Sequence, residues 1–233
     1  MAERVTPPPG DPAGVVVGLV PQSGTACLDG LYLTAVPFVP GIRLYLAADA
    51  VVLGARLEAQ QGHVVAPPLW ADVWAGGQAL ARHVAGHPDL VAGRSVLDVA
   101  SGSGIVAITA AWAGASVVLA NDIDPYACAA IGLNARCNEL DVTVVAGDLL
   151  DGDGGDADVV LAGDVFYREP MATRMLAFLR RAAARGAQVL VGDPGRACLP
   201  QDQFGVVARY PLPVPGASQD AQVNEVFVLQ LKR

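Results

Sequence analysis

Hydrophobic and polar positions follow two regimes along this chain. Before residue 30, Pro and Gly interrupt every apolar run and no helical or strand period emerges, which predicts a flexible or loosely packed leader over residues 1–30. Residues 42–46 (IRLYL) read as a short strand. Residues 47–61 have helical composition and stop at Gly62, a C-cap signal. Pro67 and Pro68 break regular structure, and residues 69–85 become helical in their later half, with Leu80 and Val84 on one face. His87-Pro88 and Gly93 punctuate the approach to the next strand. Residues 31–94 are therefore read as an extension packing on a core that begins at residue 95.

From residue 95 the pattern alternates. The expected elements are a strand over 95–99, a helix over 104–113, a strand over 116–120, a helix over 125–138, and strands over 142–146 and 157–162. A helix over 171–184, a strand over 188–191, a short strand near 205–208 and a last strand over 223–231 complete the core, residues 95–233. Strands alternating with helices imply an α/β domain with a parallel sheet and right-handed crossovers. The last two strands lack an intervening helix and read as a hairpin-like pair. The expected fold is a seven-stranded, mostly parallel sheet with one antiparallel strand and helices on both faces.

Composition narrows the function. Of 233 residues, 53% are hydrophobic and 16% charged, which fits a well-buried globular protein. The net charge of −8 argues against nucleic acid as partner, since phosphate rewards basic surface. An acidic balance suits a basic or neutral partner, or simply solubility. The cysteines Cys27, Cys128, Cys137 and Cys198 form no CxxC pair, and His63, His83 and His87 do not cluster with them, so structural zinc is not expected. Cys128 and Cys137 are separated by about two and a half turns of a predicted helix, too far for a disulfide. Free thiols and the absence of a secretory signal point to a cytoplasmic protein. The apolar run at 15–20 is too short to span a membrane, and residues 31–57 are interrupted by prolines, Arg43, Asp49 and Arg56, so no membrane association is expected.

The chemistry concentrates at strand ends. SVLDVASGSGIVAI, residues 95–108, reads as a buried strand, a small-residue turn and a helix. Ala100, Ser101, Gly102 and Gly104 allow a ligand's phosphate or amino-acid end to approach backbone N–H groups at a helix N-terminus. No GK[ST] follows, which argues against a P-loop. About 20 residues past the turn a second apolar strand ends in Asp122, placed to accept two ribose hydroxyls. Asp124-Pro125 already supplies the helix cap, leaving Asp122 freer for a ligand. Asp148 ends the third strand and is placed to meet an adenine amino group. Asp164-Val-Phe-Tyr167 follows the fourth, and Asp193 lies in the Gly-Asp-Pro-Gly-Arg turn before Arg196. Asp98, Asp122, Asp148 and Asp164 gather where open α/β sheets bind ligands. Asp151, Asp153, Asp156 and Asp158 lack the glutamate and helices of a calcium loop and read as polar loop. The turn and Asp122 suit a nucleoside cofactor without naming it.

Taken together, these residues resemble a class I S-adenosylmethionine methyltransferase, which implies a Rossmann-like fold. Residues 98–104 resemble the loop that binds the cofactor's methionine end, with Ala100 in place of the usual first glycine. The segments LWADVWAGGQAL (69–80), ASGSG, NDIDP, LAGDVFY and GDPGR are similar to the electron-transfer-flavoprotein β-subunit lysine methyltransferase group. The upstream VPFVPGIRLYLA resembles it too, although Gly41 stands where an acidic residue is usual. The resemblance implies S-adenosylmethionine as cofactor, S-adenosylhomocysteine as product and no metal. It implies cofactor contacts from Trp74, Asp98, Ala100, Ser101, Gly102, Gly104, Asp122, Ile123, Asp148 and Gly163. Asp164 and Tyr167 become the catalytic candidates. Trp70, Phe166, Asp193 and Arg196 become the acceptor contacts, with the aromatic residues forming a wall and Gly76-Gly77 letting a loop close over the cofactor. The acceptor it implies is a protein lysine, as in the flavoprotein β subunit. A small-molecule N- or O-methyltransferase is the alternative. An NAD-binding oxidoreductase is disfavoured by the DIDP and GDVFY segments, and a silent binding module by the presence of Asp122 and Asp148.

Overall fold

The computed structural model describes residues 11–20, 29–212 and 224–232, and Cys27 lies outside them. Asp11 accepts the Gly14 N–H at 3.0 Å and Pro12 opens helix α1 (Pro12–Gly18). This helix lies within the stretch read as a leader. Its Val15 and Val16, with Leu19 beyond it, are buried against residues far along the chain, including Ala127 and Ala130, a contact no local period announces. Strands β1 (Leu31–Ala35) and β2 (Arg43–Ala47) pair antiparallel in a separate two-stranded sheet. Only β2 was expected. Asp49 caps α2 (Ala50–Gln61), and Gly62, at φ 73°, ends it as the sequence implied. A short 3-10 turn, Leu69–Ala71, leads into α3 (Ala75–Gly86).

The core comes next, in the expected order: β3 (Ser95–Val99), α4 (Ile105–Trp112), β4 (Val117–Asp122), α5 (Pro125–Cys137), β5 (Thr143–Ala146), β6 (Val159–Gly163), α6 (Met171–Arg185), β7 (Gln188–Asp193), β8 (Phe204–Leu212) and β9 (Asn224–Leu231). The sheet runs β5-β4-β3-β6-β7-β9-β8, with β9 antiparallel to both neighbours and the first five strands parallel. This is the α/β, Rossmann-like arrangement expected. β8 is longer than the short strand read from the sequence and carries a register shift between Val206 and Ala208. Alternation along the strands feeds two cores. Val96, Val159 and Leu161 pack under α3, α4 and α5, while Leu97, Val160 and Val191 pack against Met175, Phe178 and Leu179 of α6. Parallel strands covered on both faces read as continuous apolar runs for this reason.

Two features of packing place the site. Asn134 on α5 and Asn138, the residue that caps its end, tie β2 to the core. Asn134 accepts the Tyr45 N–H at 2.7 Å, and Asn138 accepts the Arg43 N–H at 3.0 Å. The first turn of α3 meets β6 and β7 at backbone contact. A Cβ on Gly76 would stand 2.1 Å from the Gly192 carbonyl oxygen, and one on Gly163 would stand 2.8 Å from Gly77 Cα. The expectation of a closing loop at Gly76-Gly77 is therefore corrected. Both glycines are buried in the helix, and Gly76 approaches Gly192 too closely to admit a side chain.

Candidate active site

Strand order reverses between β3 and β6, and at their carboxyl ends a cleft opens with about 340 Å³ of empty space, part of it open to solvent. One wall is the turn after β3. Ala100 and Gly102 sit at φ 55° and 57°, left-handed conformations that cost a residue with a Cβ about 1–2 kcal/mol. The turn is tied down from several directions. The Ser101 N–H donates to the Asn121 carbonyl at 2.9 Å, and the Gly102 N–H to Asp122 Oδ2 at 2.9 Å. The Asn134 amide donates to the Ser103 carbonyl at 2.9 Å.

Asp98 holds this wall from beneath. Its Oδ2 accepts the Ser101 hydroxyl at 2.5 Å and the Ala107 N–H at 3.1 Å, joining the strand to the first turn of α4. Burial pushes its carboxyl up to about 7, opposed by those two hydrogen bonds and reinforced by the nearby Asp122 charge. Asp122 is less free than its sequence context implied, because Oδ1 takes the Asp124 N–H at 3.0 Å while Oδ2 takes Gly102. Asp124 caps α5 as expected, accepting the Tyr126 N–H at 2.8 Å. Asp148 lies outside the cleft lining. It accepts the Leu150 N–H at 2.9 Å and pairs with Arg174 at 2.7 Å, and the Arg174 hydrogen bond holds its carboxyl below the usual range. Of the acidic loop, Asp151 also meets Arg174, and Asp158 accepts the Ser95 N–H.

The opposite wall is Asp164, at φ 56° directly after β6. Its Oδ2 accepts the Gly77 N–H at 2.9 Å, acting as a remote cap for α3, and its Oδ1 takes the Arg196 guanidinium at 2.6 and 3.2 Å. The same guanidinium lies over the Trp74 ring, 5.8 Å from its centroid. Trp74 is 42% exposed, lines the cleft and donates its indole N–H to the Leu69 carbonyl at 2.8 Å.

Of the expected cofactor residues, Trp74, Asp98, Ala100, Ser101, Gly102 and Gly163 line the cleft together with Asp164. Gly104 supports it from behind, packed on Ile108 and Ile131, and Ile123 is exposed beside Asp122. Tyr167 is exposed under the Arg168 guanidinium. Three expected acceptor contacts are corrected. Trp70 is 2% exposed in the cluster with Val16, Leu53 and Leu57; Phe166 stacks edge-on against Phe204 in the core; and Asp193 is fully buried. Asp193 Oδ1 accepts the Gly195 and Arg196 N–H groups at 2.7 Å each, fixing the turn, while its Oδ2 has no partner among the described residues and burial pushes its carboxyl up. Asp72, Asn121 and Asn134 were not singled out beforehand. The last two carried a signal, a polar residue inside an apolar strand run and another on the buried face of a helix. Among the described residues, no group of three or more His, Cys, Asp or Glu is placed to hold a metal ion, and no helix is long and apolar enough to cross a membrane.

Residues 86–165, which carry the turn, Asp122 and Asp164, match the family model for ribosomal protein L11 methyltransferase. The chain is 43% identical over 154 residues to the electron transfer flavoprotein beta subunit lysine methyltransferase of Rattus norvegicus, covering 64% of this chain and 60% of that one. The resemblance is to lysine methyltransferases. The Danio rerio protein of the same name is 46% identical over 132 residues, 56% of this chain and 51% of its own. This methyltransferase-like chain thus spans between half and about 60% of the length of the curated relatives it matches. The crystal structure of Thermoplasma acidophilum 1320 shares the fold, with a TM-score of 0.50 at 20% identity over 67% of this chain and 87% of that one. The likeness to class I methyltransferases and to the flavoprotein-methylating group, expected from the motifs, is borne out.

Proposed function

We propose that this chain is an S-adenosylmethionine-dependent N-methyltransferase that acts on a protein lysine, with a target like the electron transfer flavoprotein β subunit. The 43% identity to a lysine methyltransferase carries the reading. The cleft supports it, with a small-residue turn on one wall and a carboxylate on the other. On this reading residues 95–233 form the methyltransferase core, and residues 31–94 are an extension that supplies Trp74 and Gly77. The unpaired thiols of Cys128, Cys137 and Cys198 fit a cytoplasmic setting.

The residues present fit this cofactor, which when bound supplies an electrophilic methyl group on a cationic sulfur. The first turn of α4 and the open backbone of residues 100–103 suit the amino-acid end of such a molecule. Each oxygen of Asp122 takes a single N–H from the chain and keeps a lone pair for a ribose hydroxyl. Ile123, 71% exposed, offers an apolar face to the base. Asp148 acts through its pair with Arg174, holding the loop after β5.

The acceptor lysine must be neutral to attack. Its ordinary pKa is about 10.4, so losing the proton at pH 7 costs roughly 4–5 kcal/mol. The apolar lining from Ile105 and Val106 lowers that cost by disfavouring the charged form. Asp164 orients the amine by accepting its N–H, and Tyr167, exposed three residues further on, is the second candidate. The chain's part in the displacement is chiefly positioning.

The direct test is incubation of the chain with labelled S-adenosylmethionine and purified flavoprotein β subunit beside a panel of small amines. Label on a flavoprotein lysine is the expected result, and label confined to small amines moves the acceptor class to small molecules. For the cofactor seat, Asp122→Ala is expected to weaken S-adenosylmethionine binding about tenfold or more in calorimetry while the chain stays folded. An unchanged affinity removes Asp122 from the seat.

A further inference from the structure

We propose that Arg196 is an internal competitor for the acceptor: in the free protein its guanidinium fills the cation site made by Asp164 and the Trp74 ring, and an incoming alkylammonium must displace it. Calling that alkylammonium a substrate lysine rests on the methyltransferase reading; the cation site itself does not.

Three observations converge on this. The guanidinium makes contacts that an organic cation seeks, a carboxylate oxygen at 2.6 Å and an aromatic face at 5.8 Å. Asp164 and Trp74 both line the cleft beside the glycine turn, so a cation seated between them borders that cleft. Arg196 is also built to leave without disturbing its backbone. Its main chain is anchored by the Asp193 carboxylate, which accepts the N–H groups of Gly195 and Arg196, whereas its side chain is 27% exposed. Asp164 is only 7% exposed, and a buried carboxylate is costly without a cation. When Arg196 swings out, the site therefore favours another cation. Its second oxygen remains occupied by the Gly77 N–H, so Asp164 keeps its orientation during the exchange.

A tethered competitor weakens apparent binding by the fraction of time it leaves the site open. A purely positioning Arg196 predicts the reverse, because its loss would loosen Asp164 and weaken binding. Calorimetry with n-butylammonium, the lysine side-chain mimic, separates the two. Arg196→Gln is expected to bind n-butylammonium about tenfold tighter than wild type, corresponding to a site open roughly a tenth of the time. Arg196→Lys is expected to show a smaller gain, because an ammonium cannot fork or stack as a guanidinium does. This second variant decides the matter if Arg196→Gln fails to fold. Adding Asp164→Asn to either variant should abolish the gain. Equal or weaker binding by the single variants overturns the proposal. S-adenosylmethionine binding to the wild-type chain is measured alongside. Absence of cofactor binding with the gain intact removes the methyltransferase reading and leaves the competitor. Cofactor binding without the gain does the opposite.

Discussion

The two walls of the cleft hold buried carboxylates by different means. On the β3 wall, Asp98 is surrounded by the Ser101 hydroxyl, the Ala107 N–H and a second carboxylate, Asp122, and burial drives its carboxyl up to about 7. On the β6 wall, Asp164 is matched by the Arg196 guanidinium and the Gly77 N–H. The first wall is local, its partners lying 3 and 9 residues from Asp98, with the Gly102 to Asp122 bond spanning 20. The second is assembled from segments 87 and 32 residues away from Asp164. A buried acid satisfied by its sequence neighbours can thus organise a turn, whereas one matched by a guanidinium from a distant segment joins separate parts of the chain.

The largest effect is expected where the β6 wall depends on backbone contact. Gly192→Ala places a Cβ 2.0 Å from the Gly76 carbonyl oxygen and 2.9 Å from Leu80 Cβ. Neither helix nor strand can yield cheaply, so the loss should exceed about 3 kcal/mol in denaturant unfolding. A loss near zero would mean that α3 is not seated on β7 as described.

The next concerns the β3 wall. Asp98 titrates near 7 when folded and near about 3.9 when unfolded, so the folded chain binds more protons between those values. Its contribution is intact below about pH 4, is lost as pH rises towards 7, and is constant above. A three-unit shift bounds the loss at about 4 kcal/mol, and about 2 kcal/mol is expected after relaxation. Asp98→Asn should therefore be more stable than wild type at pH 8 and not at pH 4, as read from urea midpoints. Equal pH slopes in the two proteins would contradict the electrostatic account of this wall.

Asp164→Asn tests the other acid. Turnover should fall about tenfold or more while cofactor affinity changes little, since a charge-assisted contact to the amine is lost. Wild-type turnover would remove Asp164 from the reaction. The smallest effect is expected at Ala100, whose φ of 55° favours glycine. Ala100→Gly should raise the unfolding free energy by about 1 kcal/mol, and a loss instead would show that the Ala100 methyl group packs productively in the turn.

Legibility followed the same division. The strands from β3 to β7, the cap at Asp124 and the glycine turn were readable because apolar runs, Asp-Pro and small residues act over a few positions. Spacing alone placed Asp122 beside the turn without naming a cofactor; the proposed cofactor came from the family resemblance of the motifs together. Trp70 and Phe166 resisted, because an aromatic residue in a motif looks the same whether it faces a cleft or a core. Helix α1 resisted too, since its stability comes from burying Val15 and Val16 against distant elements rather than from its own period.

By itself the sequence determined the order of elements, the parallel sheet with its antiparallel β9, and the small-residue turn at the end of β3, because each rests on short-range propensity and pattern. Only the tertiary structure decided which acids are buried and paired, that Gly76 and Gly77 serve packing rather than motion, and that Arg196 sits between Asp164 and Trp74. Those outcomes depend on desolvation and on contacts between residues tens of positions apart, quantities that no local pattern encodes.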